Sequence, residues 1–379
     1  MKKLVTEFAL VLIAIIIVSF WWGHELEKNN FLQENKEALH VGVIFANSMQ
    51  DGGWNQQQYE AFQGLEQELG LRFFYRENVP ELDLSIGPVV DELVQKKHVR
   101  VIFALSYGYG NALQRLAARY PDVRFFHITG TQQRENLATY FGRMYQARYL
   151  TGIVAGLQTK TNQIGYVAAY PFPEVIRDIN AFTLGVRSVN PDAVVHVRWT
   201  WSWDDETKEK RTSEKLLSSE NIDVLTQHQN RVYPVQAAQA HHIYAIGYNA
   251  DHSAEYPDTL LTSAVWNWGN FYRQRLIEYR EGRFSGKNYF DDLASGLVDI
   301  APLSAAVSPQ AAEKVAAARQ RIESGSWDVF WGPIYDQNGW LHVRPGENIS
   351  DQTLVESFDW FVQGVEGTTW PTIIGENEE

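Results

Sequence analysis

The sequence contains no cysteine. This excludes disulfide bonds, thiolate catalysis and cysteine-ligated metals, and it is compatible with an oxidising compartment. Positive charge is also scarce, because 33 Lys and Arg stand against 46 Asp and Glu and give a formal net charge of −13. An acidic surface repels phosphate backbones and anionic lipid, so we expect no nucleic-acid partner.

The common catalytic motifs are missing as well. The chain has no G-x-S-x-G, no H-E-x-x-H and no complete phosphate-binding loop. Gly108-Tyr109-Gly110 begins a dinucleotide-binding pattern, but Leu113 stands where that pattern requires its third glycine. None of the histidines has the spacing of a metal site. The sequence therefore favours a protein that is not an enzyme and that needs no cofactor or metal.

The N-terminus carries an apolar run from Phe8 to Trp22, preceded by Lys2 and Lys3. A positive start followed by such a run is typical of a secretory signal or of a short, uncleaved membrane anchor. No small-x-small cleavage site follows the run. We expect residues 1–23 to be a signal or anchor helix and residues 24–39 a polar spacer, with the body of the protein outside the cytoplasm in either case.

Aromatic residues are abundant, with 13 Trp, 18 Tyr and 19 Phe. Most of them are expected in the core, but a surplus is what a protein that stacks flat ligands would need.

The length of 379 residues allows two domains of roughly 150 residues each.

From His40 onward, short apolar runs that read as strands alternate with helical stretches, the first of which closes on Gly70. This order predicts an α/β fold with parallel sheets and helices on both faces. Two such series occur, so we expect two similar lobes: residues 40–147 with about 265–295 in the first, residues 148–264 with about 296–367 in the second, and a tail over 368–379. The predicted strands are VGVIFAN, LRFFYREN, VRVIFALSY and VRFFHITGT in the first series, and QIGYVAAY, AVVHVRWTW, NIDVLTQH, IYAIGYN and TLLTSAVW in the second.

The loops that follow these strands are rich in aromatic and hydrogen-bonding residues in both series. Ligands of open parallel sheets bind beyond the carboxyl ends of the strands, so we expect a cleft between the lobes that closes on a ligand. The candidate ligand-binding residues are Asn47, Asp51, Trp54, Asn55, Tyr107 and Tyr109 in the first series, and Phe172, Glu174, His228, Asn249, Asp251, Trp266 and Asn267 in the second.

Several of these candidates have a purely structural alternative. Asp51 and Asn55 lie where they could cap the helix that follows. Glu174 could form an ion pair one helical step later within its own helix. Trp266 and Trp268 could cover the hinge between the lobes, and strand alternation places both rings on the same side. These alternatives stay open from the sequence alone.

The segment from Tyr140 to Asp192 closely resembles the basic membrane protein (BMP) family of ABC-transporter substrate-binding proteins. D-x-G-W-N after the first strand, the YGYGN turn, GPIYDQNG and FDWFVQGVEG add to this resemblance, which extends from His40 to about Gly367. The resemblance implies a type I periplasmic-binding-protein fold with three crossovers between the lobes. It also implies delivery of a purine nucleoside or nucleobase to ABC permease subunits, and we expect a monomer.

The family's nucleoside binders carry D-x-x-F-N in the first loop, where the aromatic ring stacks on the base and the Asp and Asn hydrogen-bond its edge. The matching positions here are Asp51, Trp54 and Asn55. A tryptophan platform with polar neighbours suits a purine, which combines a flat π face with donors and acceptors along its edge.

The ribose-binding motifs of the family are altered in this chain. G-V-D-x-D reads Gly247 to Asp251 here, with Asn249 in place of the first Asp, and Trp266 replaces the Lys of T-S-x-x-K. This difference favours a free nucleobase such as adenine over a nucleoside. A membrane-tethered sensor of the same fold and a nucleoside-cleaving enzyme remain the alternatives.

Overall fold

The computed structural model describes residues 38–369. The predicted signal or anchor segment, and the tail beyond residue 369, lie outside the described residues. No helix within 38–369 combines the length and the apolar character needed to cross a membrane.

The first lobe is built on a six-stranded sheet in the order β11-β5-β4-β3-β1-β2, and all its strand pairs are parallel. Its strands are β1 (Leu39–Ile44), β2 (Leu71–Arg76), β3 (Val101–Ala104), β4 (Arg124–Ile128), β5 (Leu137–Gly142) and β11 (Asn288–Asp291). Its helices are α1 (Trp54–Leu69), α2 (Asp83–Lys97), α3 (Gly110–Arg119) and α8 (Trp268–Arg280), and a 3-10 turn covers Tyr107–Tyr109.

The second lobe is built on a seven-stranded sheet in the order β12-β10-β9-β8-β6-β7-β15, in which only the β10–β12 pair is antiparallel. Its strands are β6 (Gln163–Ala168), β7 (Val194–Trp199), β8 (Val224–His228), β9 (Tyr244–Asn249), β10 (Leu260–Trp266), β12 (Val298–Ile300) and β15 (Val365–Glu366). The other elements are α4 (Met144–Gln158), α5 (Pro173–Val189), α6 (Glu206–Ser219), α7 (Tyr233–Ala240), α9 (Pro309–Glu323), α10 (Asp351–Glu356), and a hairpin of β13 (Ile334–Tyr335) and β14 (Leu341–Val343).

The chain passes between the two sheets three times, after β5, after β10 and after β11. The predicted fold class, two α/β lobes with parallel sheets, is therefore confirmed. Each crossing lies at the same end of the sheets as the loops that follow the parallel strands, so the hinge lies beside the cleft.

Helices α4 and α5 are in backbone contact. A Cβ on Gly152 would stand 2.1 Å from the carbonyl oxygen of Phe182, and one on Gly185 would stand 2.1 Å from that of Tyr149. Only glycine allows this approach, which fixes the two helices against each other.

Candidate functional site

The two lobes touch at the mouth of the cleft through a contact that we call the closure contact. Its residues are Gly52, Gly53 and Trp54 in the first lobe and Asn230 and Arg231 in the second. The Trp54 backbone N–H donates to Asn230 Oδ1 at 2.6 Å. A Cβ on Gly53 would lie 2.3 Å from the same oxygen, so the paired glycines are what lets the loops meet.

Asp51 is the residue that caps α1. Its carboxylate accepts hydrogen bonds from the backbone N–H groups of Gly53, Asn55 and Gln56 and from the Asn55 side-chain amide, at 2.9 to 3.2 Å. Asn55 is buried beside it. The structure thus realises the capping alternative for Asp51, since a carboxylate at a helix N-terminus satisfies otherwise unpaired N–H groups. Asn55 does not cap the helix; it lies inside α1, and its side-chain amide donates to Asp51.

Four aromatic rings meet where the first lobe reaches the hinge, and we call them the aromatic box: Trp54, Phe141, Trp266 and Trp268. The Trp266 and Trp268 rings are stacked at 4.5 Å, which confirms that both lie on one side of the strand end. Trp54 stands edge-on to them, 6.1 Å from Trp266 and 5.4 Å from Trp268, and Phe141 is 5.0 Å from Trp266. Trp266 and Trp268 are buried in this packing, which brings together rings from both lobes.

A groove of about 310 Å³ runs between α1 and the ends of β9 and β10. Four of the predicted residues, Asn249, Asp251, Trp266 and Asn267, line it together with Trp268. Asn249 has a left-handed backbone with φ of 71°, and its amide nitrogen donates to the Gln229 carbonyl at 3.3 Å. Its Oδ1 is buried without a partner among residues 38–369.

Tyr248, which precedes Asn249 in β9, belongs to a group of polar side chains that we call the buried polar cluster: Arg148, Asp178, His228 and Tyr248. Asp178 Oδ2 is 3.7 Å from both Arg148 Nε and His228 Nδ1. The Arg148 guanidinium lies 4.1 Å over the Tyr248 ring, and its Nη2 donates to the Gln227 carbonyl at 2.9 Å. Within the described residues, Arg148 Nε and Nη1, Asp178 Oδ1 and His228 Nδ1 are buried and make no hydrogen bond.

Burial governs protonation in this cluster. It raises the pKa of Asp178 to about 7, although Arg148 and Arg177 act in the opposite direction. Burial also holds the pKa of His228 well below its usual value, and the same two arginines reinforce this effect. His228 is therefore a neutral imidazole at pH 7, and Asp178 titrates in the physiological range.

Glu174 lies near the cluster at the start of α5. Its partial burial raises its pKa, while Arg177 lowers it. The ion pair with Arg177, which was the structural alternative for Glu174, is not formed within 38–369; instead Arg177 Nη1 donates to the Leu354 carbonyl at 2.9 Å. Glu174 thus keeps its carboxylate available at the edge of the cleft.

Phe172 belongs to an aromatic lip on the second lobe. It is 50 % exposed and stacks on Tyr170 at 5.5 Å. Trp203 lies 5.7 Å from Tyr170 and 6.1 Å from the His228 ring. The lip therefore extends from the surface to the buried polar cluster.

The remaining predicted residues have other surroundings. Tyr109 packs in the core of the first lobe and its hydroxyl donates to the Val79 carbonyl at 2.6 Å, so the structure gives it a packing role. Tyr107 is 69 % exposed on the 3-10 turn. Asn47 is exposed, and its carbonyl accepts from the Asn78 N–H.

Arg148 and Asp178 were not among the residues predicted from the sequence. Arg148 is the single charged residue of α4, a helix that is otherwise apolar or neutral and almost wholly buried. A lone charge in such a helix is a signal that could have identified it, because a buried charge requires a partner or a function.

His196, Glu220 and Glu366 place ligand-type atoms within 4.8 Å of one another. The Arg198 guanidinium already pairs with both carboxylates, at 3.2 Å to Glu220 and 2.8 Å to Glu366. Its positive charge stands where a cation would bind, so we assign no metal to this group.

Comparison with known proteins identifies one matching family and several similar proteins. The sequence model of a family described as Bmp, ABC transporter substrate-binding protein PnrA-like, matches residues 38–328. A purine-binding protein of Brucella abortus is 34 % identical over 337 residues, covering 87 % of this chain and 94 % of that protein. A protein of Haloferax volcanii, provisionally named an ABC transporter glucose-binding protein, is 33 % identical over 332 residues, covering 87 % and 81 %. The crystal structure of an ABC transporter solute-binding protein from Aeropyrum pernix superposes with a TM-score of 0.67 at 19 % identity, over 83 % of this chain and 95 % of that one, which shows a shared fold.

Proposed function

Since the chain belongs to the Bmp family of PnrA-like substrate-binding proteins of ABC transporters, we propose that it binds a purine, and a free nucleobase such as adenine more tightly than its nucleoside. Membership in this family implies a small-molecule ligand, permease subunits as partners and an extracytoplasmic location. The family consists of solute-binding proteins rather than enzymes.

The observation that supports a purine is the buried polar cluster beside the aromatic box. Stacking of a base on an aromatic side chain contributes about 1–3 kcal/mol, and the box presents rings from both lobes. Arg148 supplies unpartnered donors and Asp178 an unpartnered acceptor within a few ångströms. A purine carries ring-nitrogen acceptors and N–H donors around one flat ring system, which matches this combination.

Two features support the base over the nucleoside. Trp266 occupies a position where the family's nucleoside binders carry a lysine, and Asn249 uses its amide on Gln229 rather than offering a carboxylate to a ribose. A free base also has a ring N–H at the nitrogen that bears the sugar in a nucleoside. A buried carboxylate such as Asp178 can accept a hydrogen bond from that N–H, which a nucleoside lacks.

Mass spectrometry of ligand retained through purification tests the proposal most directly. Calorimetry of ligand-free protein with adenine, adenosine and glucose then ranks the candidates, glucose being included because one relative is named for it. We expect adenine to bind most tightly. Equal or reversed affinities for adenine and adenosine would overturn the base preference, and binding of glucose alone would overturn the purine.

Two further measurements separate the remaining alternatives. Incubation with adenosine should release no adenine; release of the free base would identify a nucleoside-cleaving enzyme. Deletion of the gene should abolish adenine uptake by cells, whereas a tethered sensor would leave uptake intact.

A further inference from the structure

A second cavity lies in the second lobe, on residues that are all distinct from those of the interlobe groove. It has a volume of about 270 Å³ and lies between the C-terminal end of β7 and one face of α6. Four of its lining side chains are cationic and none is acidic, in a chain whose net charge is −13. We call it the basic pocket; its cations are Arg198, Lys208, Arg211 and Lys215.

The sequence of α6 explains why these cations converge. Lys208, Arg211 and Lys215 follow one another at steps of three and four residues, which places them along one face of the helix. The buried residues Glu209, Ser213 and Leu216 lie on the opposite face of the helix, which packs against the lobe. Arg198 enters from β7 and completes the ring of positive charge.

Carboxylates next to the pocket pair with two of its cations, Arg198 and Lys208. Arg198 is held by Glu220 and Glu366, and Lys208 Nζ stands 3.8 Å from Asp205. These contacts fix Arg198 in place, while 3.8 Å leaves Lys208 only loosely paired. Lys215 has no carboxylate within 4.0 Å among residues 38–369. Its ammonium group therefore faces the pocket without a counter-ion from the described part of the chain.

The rim of the pocket is aromatic. Trp201 is 41 % exposed and has φ of 54°, a left-handed backbone that bulky residues rarely adopt. Strained backbone of this kind persists where the surrounding structure holds it and is frequent at functional sites. On the inner wall, Trp199 is anchored by its indole N–H, which donates to the Thr368 carbonyl at 2.7 Å.

We propose that the basic pocket binds a phosphate group and is a second ligand site, separate from the purine cleft. A phosphate presents several acceptor oxygens, which lysine ammonium groups contact as point charges and hydroxyls such as that of Thr212 contact as donors. The phosphate belongs either to a soluble phosphate monoester or to the headgroup of an anionic lipid. Both sources present the same group to the same side chains.

The test uses the full chain and compares two variants of α6. The double variant Lys208→Gln/Lys215→Gln removes two cations from the pocket. Lys210→Gln is the matched control, because Lys210 lies on the same helix but outside the pocket and pairs with Glu206. Adenine affinity, measured for each protein, shows that the fold is preserved.

Calorimetry with inorganic phosphate and with AMP, in the presence of saturating adenine, reports a soluble ligand. Co-sedimentation with vesicles of phosphatidylcholine, with and without phosphatidylglycerol, reports a headgroup. We expect binding that weakens with added salt, falls at least about tenfold in the double variant and is unchanged in Lys210→Gln. A response to AMP assigns a soluble ester, and a response only to phosphatidylglycerol vesicles assigns a lipid headgroup. Absence of binding to every probe, or equal binding by wild type and double variant, would overturn the proposal.

Discussion

Replacement of Gly53 by alanine tests whether ligand binding depends on the closure contact. The added methyl group would lie 2.3 Å from Asn230 Oδ1 and 2.7 Å from the Asn230 carbonyl oxygen. One of these atoms belongs to the backbone, so rotation of the Asn230 side chain cannot relieve the clash. The Trp54 N–H···Oδ1 hydrogen bond would be lost or lengthened as the loops separate.

The size of the effect follows from the cost of overpacking, typically 1–3 kcal/mol. This cost falls on the closed form alone, because the clashing atoms belong to different lobes and move apart when the lobes separate. The ligand dissociation constant should therefore rise roughly 5- to 150-fold, while the stability of the ligand-free protein changes little.

Calorimetry with adenine gives the dissociation constant, and small-angle scattering with and without ligand gives the degree of closure. Gly64→Ala is the matched control: it lies in α1, and a Cβ there would meet nothing within 4 Å. The reasoning is refuted if Gly53→Ala binds adenine as tightly as wild type and compacts to the same extent.

Three further predictions concern single side chains. Trp54→Ala should weaken adenine binding at least about tenfold, because it removes a stacking surface. Trp340→Ala, which removes a 73 % exposed ring, should leave the affinity unchanged. If calorimetry gives Trp54→Ala the same adenine affinity as wild type, Trp54 is not part of the site. Burial raises the pKa of Asp178 to about 7, and the ionised form accepts a hydrogen bond from the ligand, so the affinity of the wild type for adenine should rise between pH 6 and 8. Asp178→Asn should abolish this pH dependence of affinity. Parallel affinity profiles for the two proteins would exclude this role of Asp178. Burial likewise raises the pKa of Glu209 from 4.5 to about 8, so the folded state holds a proton that the unfolded state has lost. The free energy of unfolding should therefore fall as pH rises from about 4.5 to 8. Urea denaturation should show that Glu209→Gln is more stable than wild type by an amount that grows from pH 5 to pH 9, up to roughly 5 kcal/mol. A stability difference that does not change with pH would count against the buried proton.

The fold was predictable because the sequence alternates clearly between strand and helix patterns, and because the residues that end each element lie next to it in the sequence. Gly70, for example, ends α1 with a left-handed backbone whose N–H donates to the Glu66 carbonyl, as its position in the sequence predicts. Strand β5 was missed for a physical reason. It pairs in parallel with β4 after a connection without a helix, whereas parallel strands usually require a long helical crossover.

The site was only partly predictable, because several of its residues are determined by contacts between distant segments. Strand alternation was enough to place Trp266 and Trp268 on one side. It could not decide whether Asp51 caps a helix or contacts a ligand, since both roles use the same position in the loop. Tyr109 was misjudged because the 3-10 turn exposes Tyr107 and directs Tyr109 into the core of the first lobe.

We expect the buried polar cluster to link ligand choice to lobe closure. A buried polar group without a partner costs about 1–3 kcal/mol, and more when it is charged. Arg148, Asp178 and His228 each carry such an atom in the closed arrangement of residues 38–369, whereas the Trp54–Asn230 hydrogen bond contributes only about 1 kcal/mol toward closure. A ligand that pairs these atoms therefore has a higher affinity for the closed form than for the open one, and this difference is what shifts the population. A flat ligand without donors and acceptors would stack on the aromatic box but leave the cluster unpaired, so it should bind without closing the lobes.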